Sequence, residues 1–119
     1  MEADFGGENR STKWHELSFA IVGLGLIGGS YAKALRKLGV KQIVGIERDA
    51  ATLQEAKQQG LVDIGMTEPD NRLKEANVII CAIYPEAIVG FIAANVDFFN
   101  ESVLLTDVAG IKNDMISRG

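Results

Sequence analysis

The sequence predicts an α/β fold, built as a doubly wound, mostly parallel sheet with helices on both faces. Three observations predict it. An apolar strand, Leu17 to Val22, runs into Gly23, Gly25 and Gly28, spaced G-x-G-x-x-G, and a helical pattern opens straight after them. An acid, Glu47, stands 24 residues after Gly23, at the end of a second β-branched segment. Strand-like and helix-like segments then alternate along the chain, an order that requires parallel strands joined by right-handed crossovers. This is the Rossmann-type arrangement, and each glycine has a physical task in it. Gly23 allows the tight turn out of the strand. Gly25 lets a diphosphate approach the backbone with no Cβ in the way, and Gly28 lets the helix pack close. The first helical turn then offers free N–H groups and the positive end of its dipole to phosphates.

The segments can be justified in order. Met1 to Glu16 is polar and Gly-rich without periodicity, and reads as a flexible leader. Residues 17–119 read as the folded domain. After the first strand, Ile27, Tyr31, Ala34, Leu35 and Leu38 recur at helical spacing, with Lys33, Arg36 and Lys37 on the other face. Gly39 stops that helix. Gln42 to Ile46 is a β-branched strand. Asp49 is placed to cap a helix over Ala50 to Gln59, which Gly60 stops. Leu61 to Met66 fits either a short third strand or an extended loop, since Gly65 and Pro69 weaken it. Asn71 to Ala76 is a short helical turn. Asn77 to Ile83 is the clearest buried strand, and Pro85 stands at the first position of the next helix, whose stripe is Ile88, Phe91, Ile92 and Asn95. Ser102 to Thr106 is a further strand, followed by a turn at Asp107 to Gly110 and a last helix carrying Ile111 and Met115.

Composition narrows the function classes. The chain has 119 residues, enough for one domain with a real core and short for a complete enzyme. A net charge of -4 gives no basic face for nucleic acid. Its longest apolar runs, Val78 to Tyr84 and Ala87 to Ala94, fall far short of the ~20 residues that span a membrane. The single cysteine, Cys81, cannot form an internal disulfide, which suits a reducing compartment and makes the cytoplasm the expected location. Cys81 reads as a small buried hydrophobe and not as a nucleophile. The single histidine, His15, falls in the polar leader and reads as solvated. No metal site is expected.

Ligands of such sheets bind at the carboxyl ends of the strands, near the point where strand order reverses. Four segments should meet there: Gly23–Gly28, Glu47–Arg48, Tyr84–Glu86 and Asp107–Gly110. Glu47 can accept hydrogen bonds from both hydroxyls of an adenosine ribose and repel a 2′-phosphate, which favours NAD over NADP. Arg48 can hold a 2′-phosphate, stack on the adenine face or stay solvated. Tyr84 and Pro85 can wall the nucleotide. The cofactor-binding set is Gly23, Gly25, Leu26, Ile27, Gly28, Glu47, Arg48, Ile83, Tyr84, Pro85, Asp107 and Val108.

These residues also carry a family resemblance. G-L-G-L-I-G-G-S from Gly23 to Ser30 and G-I-E-R-D from Gly45 to Asp49 resemble the nucleotide-binding half of prephenate and arogenate dehydrogenases. V-I-I-C-A-I-Y-P-E-A-I, Val78 to Ile88, is similar to that family's strand-then-proline segment. T-D-V-A-G-I-K, Thr106 to Lys112, sits where the family carries T-D-x-x-S-x-K. The resemblance implies NAD(P)-dependent oxidative decarboxylation of prephenate or arogenate in tyrosine synthesis, with a homodimeric full-length form. It also assigns Gly110 and Lys112 to the substrate end, although the family usually has serine where this chain has Gly110. The family's catalytic histidine lies in a later G-x-H-P-M-x-G segment, followed by a helical domain. This chain carries neither, so no catalytic residue is assigned in it, and it is expected to bind nucleotide without turnover.

Two other readings use the same glycine turn and acidic strand end. One is a stand-alone nucleotide-sensing regulatory module. The other is the cofactor domain of a different hydroxyacid-type dehydrogenase.

Overall fold

The computed structural model describes residues 13–107. Five strands form one parallel sheet: β1 (Ser18–Val22), β2 (Gln42–Ile46), β3 (Ile64–Met66), β4 (Val78–Cys81) and β5 (Leu104–Asp107). Their order across the sheet is β3-β2-β1-β4-β5. The chain therefore builds outward from β1 through β2 to β3, then crosses back to lay β4 on the other side of β1. That reversal opens a crevice at the carboxyl ends of β1 and β4. The doubly wound sheet expected from the sequence is thus present.

β1 is central, and all five of its residues are buried. A strand covered on both faces needs apolar side chains at odd and even positions alike, which is why Phe19 to Val22 shows no alternation. In register, Ala20 lies between Val44 and Ile79, and Ile21 between Gly45 and Ile80. Phe19, Ile21, Ile43 and Ile80 point to one face, where helix α1 (Leu26–Leu38) contributes Ala32 and Leu35, and helix α2 (Ala50–Gln58) contributes Leu53 and Ala56. Ala20, Val22, Val44, Ile46, Ile79 and Cys81 point to the other. There, Ile88, Phe91 and Ile92 of helix α3 (Pro85–Asn95) lie against the sheet beside Leu73 and Phe99.

The local signals act as expected at most element ends. Gly39 takes a left-handed φ of 75° after α1. The Asp49 carboxylate accepts the Thr52 N–H at 3.0 Å and caps α2. Pro85 occupies the first turn of α3.

Elsewhere the structure refines the sequence reading. Leu61 to Met66 resolves into a loop followed by the three-residue β3, paired with β2 from Val44 to Ile46. β4 is shorter than Asn77 to Ile83, because its central partner β1 ends at Val22, opposite Cys81. β5 starts two residues later than Ser102, since the Asn100 side chain accepts the Ser102 N–H at 2.8 Å and holds a turn there. Order also begins before Leu17. Trp14–Glu16 form a 3₁₀ turn, and the Trp14 ring stacks on Phe19 with centroids 6.3 Å apart, because an indole that reaches the core gains more there than in water. The expected last helix and the turn after Asp107 lie outside the described residues, as do Val108, Gly110 and Lys112.

Candidate dinucleotide site

The three motif glycines are held for three different reasons. Gly23 leaves β1 with φ +94°, and a Cβ there would come 2.7 Å from the Ala82 carbonyl oxygen. Left-handed backbone and a crowded neighbour both demand glycine. At Gly28 a Cβ would collide with the Gly23 carbonyl oxygen, so α1 can pass the turn this closely only without a side chain. Gly25 is unlike either. Its φ of -69° is open to any residue, and a Cβ would meet no atom of the described residues within 4 Å. Nothing among the described residues requires glycine at position 25.

Gly25 is also the N-cap of α1. Among the described residues no side chain caps this helix, and no acid stands in its first turn, in contrast to α2 with Asp49. The opening N–H groups of α1 are therefore left for a partner outside the helix, and an anion suits them best.

Glu47 follows β2 and turns back toward the glycine loop. Its Oε1 accepts the Leu24 N–H at 2.7 Å, and its Oε2 accepts the Asp49 N–H at 2.9 Å. An ionised carboxylate has about four lone-pair sites, so each oxygen keeps capacity for one more donor. Arg48 is exposed, and no carboxylate among the described residues lies within ion-pair distance of it.

These groups border one cleft of about 670 Å³ at the carboxyl edge of the sheet. Of the residues expected from sequence, Gly23, Gly25, Leu26, Ile27, Gly28, Glu47, Arg48, Ile83 and Tyr84 line it. Two expected residues stand apart. Pro85 begins α3 beside Tyr84 without lining the cleft, and Asp107 pairs in register with Cys81 at the end of β5. The cleft has further walls that the sequence did not reveal: Thr67, Glu68 and Pro69 on one side, and Ala87, Phe91 and Asn95 of α3 on the other. The first group follows β3, and reading Leu61 to Met66 as a strand would have pointed its exit into the site. Asn95 donates from its side-chain amide to the Phe91 carbonyl at 2.9 Å, one turn back on the same helix.

Two titratable candidates fall away on position. Cys81 is buried beneath the site, and burial, assisted by the Asp107 charge, pushes its thiol up to about 11. His15 sits in the 3₁₀ turn that precedes β1, at the amino end of the sheet and away from the cleft. Among the described residues no group of acids, histidines or cysteines could hold a metal ion.

A family model described as the prephenate dehydrogenase nucleotide-binding domain matches residues 31–118. The chain belongs to that family. No curated protein matches it by sequence. Among solved structures, a prephenate dehydrogenase from A. aeolicus in complex with hydroxyphenyl propionate and NAD⁺ superposes with a TM-score of 0.70 at 25% identity, covering 76% of this chain and 32% of that one. A Synechocystis arogenate dehydrogenase gives 0.69 at 27% identity, with coverage of 76% and 32%. A second structure of prephenate dehydrogenase from Aquifex aeolicus gives 0.67 at 25% identity, with 75% and 33%. The chain thus spans about a third of the length of the solved proteins that it matches.

Proposed function

We propose that this chain is the NAD⁺-binding portion of a dehydrogenase acting on prephenate or arogenate. One observation carries the nucleotide reading: Gly25 lines the cleft, has a negative φ and extended backbone, and has no described residue where its Cβ would stand. A glycine that the fold does not need is explained by a ligand that must come close to the backbone. The diphosphate would lie against Gly25 and the open N-terminus of α1 at Leu26 and Ile27. Glu47 would receive the 2′- and 3′-hydroxyls of the adenosine ribose on the lone pairs left by Leu24 and Asp49. Arg48, exposed and with no carboxylate partner among the described residues, would lie over the adenine. Ile83 and Tyr84 would wall the nicotinamide end, with Pro85 setting the direction of α3 behind them.

When bound, the nicotinamide supplies the hydride acceptor for an oxidative decarboxylation. The residues of this chain contribute binding and orientation. The described residues of the cleft include no histidine; by the family motif, the group that polarises or deprotonates the substrate hydroxyl would be a histidine from outside it. The proposed role of Asp107 and Val108 at the cofactor, and of Gly110 and Lys112 at the substrate, rests on the family motif. So does a homodimeric full-length enzyme. Family membership favours this reading over a nucleotide sensor. No helix among the described residues is long and apolar enough to cross a membrane, and we place the protein in the cytoplasm.

Calorimetric titration of the full chain with NAD⁺ and NADP⁺ tests the proposal. NAD⁺ should bind more tightly. Tighter NADP⁺ binding would mean that Arg48 holds a 2′-phosphate, and binding of neither would remove the dinucleotide reading.

A further inference from the structure

Leu24 is the residue between the first two motif glycines. It is only 5% exposed and belongs to the core cluster on the α1 and α2 face. Its side chain drops onto β2 at Gly45. A Cβ on Gly45 would come 2.7 Å from Leu24 Cδ1 and 2.7 Å from Val62 Cγ1, so the missing side chain at 45 is the slot that Leu24 fills, with Val62 as the other wall. Gly45 itself sits inside a strand with negative φ, where glycine otherwise weakens the sheet.

The backbone completes the fastening. Gly23 donates its N–H to the Ile46 carbonyl at 2.8 Å, and Leu24 donates to Glu47 Oε1 at 2.7 Å. Two successive amides of the turn are thus tied to the end of β2, and the Leu24 side chain is clamped beneath them. On one side of Leu24 lies Gly25 with the free N-terminus of α1, and on the other lies the Glu47 carboxylate.

We infer that Leu24 is a positioning residue for the dinucleotide: seated over Gly45, it sets the offset between the diphosphate cradle and the ribose-binding carboxylate. This rests on the dinucleotide reading above. A ligand that must satisfy both ends at once is sensitive to that offset. Hydrogen bonds to a charged group are short and directional, and a displaced Leu24 amide would release Glu47 from its orientation. Loosening the seat therefore weakens NAD⁺ and also erodes its advantage over NADP⁺, whereas general softening of the domain would lower both affinities together.

The test uses the full chain with Leu24→Ala, the milder Leu24→Val and the slot-filling Leu24→Met, each titrated with NAD⁺ and NADP⁺ and melted without ligand. Leu24→Ala should lose about tenfold in NAD⁺ affinity, the size of one charge-assisted hydrogen bond, with a smaller loss for Leu24→Val. The NAD⁺-to-NADP⁺ affinity ratio should shrink in the same order, and Leu24→Met should restore both quantities. If Leu24→Ala does not fold, Leu24→Val and Leu24→Met carry the comparison. An unchanged ratio in every folded variant overturns the inference, even where affinity falls with melting temperature. Failure of the unsubstituted chain to bind either nucleotide overturns the dinucleotide reading and this inference with it.

Discussion

Glu47 Oε1 and the Leu24 N–H are 2.7 Å apart, a bond that joins the end of β2 to the glycine turn across 23 residues of sequence. The carboxylate is therefore oriented before any ligand arrives. Its charge and its remaining lone pairs face the same cleft as Gly25 and Arg48.

Replacing that charge should move nucleotide preference. In Glu47→Gln the amide oxygen can keep the Leu24 bond, but the amide NH2 cannot accept the Asp49 N–H or a ribose hydroxyl, and repulsion of a 2′-phosphate is gone. The NAD⁺-to-NADP⁺ affinity ratio should fall by about tenfold or more, since hydrogen bonds to a charged group are each worth ~1.5–3 kcal/mol. Calorimetry with both nucleotides measures it, and an unchanged ratio would remove Glu47 from the ribose site.

The glycines should separate binding from folding. Gly25→Ala and Gly25→Val place a Cβ in space that no described residue occupies, so stability should fall by no more than about 1 kcal/mol, the preference for glycine at this N-cap, while nucleotide binding collapses. Gly28→Ala should do the reverse in order of cause. Its Cβ meets the Gly23 carbonyl, and relieving that overlap should cost about 1–3 kcal/mol of folding stability. Urea melts beside titrations distinguish the two. A Gly25→Val chain that unfolds would show packing demands that the structure lacks.

Asp63 should contribute to acid sensitivity. Burial raises its carboxyl, but the Arg36 guanidinium at 2.9 Å and the Ile43 N–H at 2.8 Å outweigh burial and hold it below its usual value. A depressed carboxyl stabilises the fold above its unfolded pKa of about 3.9 and loses that contribution as pH falls through the lower folded value. Both partners are partly exposed, so the amount is small. Urea midpoints between pH 5 and pH 2 should fall less steeply in Asp63→Asn than in the parent. Parallel slopes would show that the pair makes no contribution.

Cys81 should be protected. A buried thiol whose pKa is raised to about 11 holds little thiolate at neutral pH. Ellman's reagent at pH 7.5 should label the native chain no faster than it unfolds, and label the urea-unfolded chain at once. Rapid native labelling would contradict the packing around β4.

With NAD⁺ and either prephenate or arogenate, the chain should produce no NADH. His15 stands at the amino end of the sheet, the wrong end for a bound nicotinamide. His15→Ala should leave nucleotide affinity unchanged. Turnover that survives this substitution would require a proton acceptor among residues assigned here only to binding.

Much of this molecule is written locally. The strand run into Gly23, the stop at Gly39, the Asp49 cap and the proline that opens α3 act within a few residues of where they stand, so periodicity and turn chemistry expose them. β3 was ambiguous because three residues on an edge, interrupted by Gly65, carry too little pattern to tell from a loop. With Leu61 to Met66 open between strand and loop, Thr67, Glu68 and Pro69 could not be assigned to the site, for they reach the cleft only because β3 lies beside β2.

The sequence by itself determined the alternating α/β order, the glycine turn and the acid at the end of the second strand, since each depends on neighbours in the chain. Only the tertiary structure decided that Leu24 is buried, that Gly45 is vacant to receive it, and that Glu47 is bound by Leu24 and Asp49. The first two of those facts, and the Leu24 bond of the third, rest on contacts between residues about 20 apart, created when β1 and β2 align in register. No local pattern encodes which side chain will fill which gap. Close packing does, because a slot one side chain wide is filled by the residue that the paired strands bring above it.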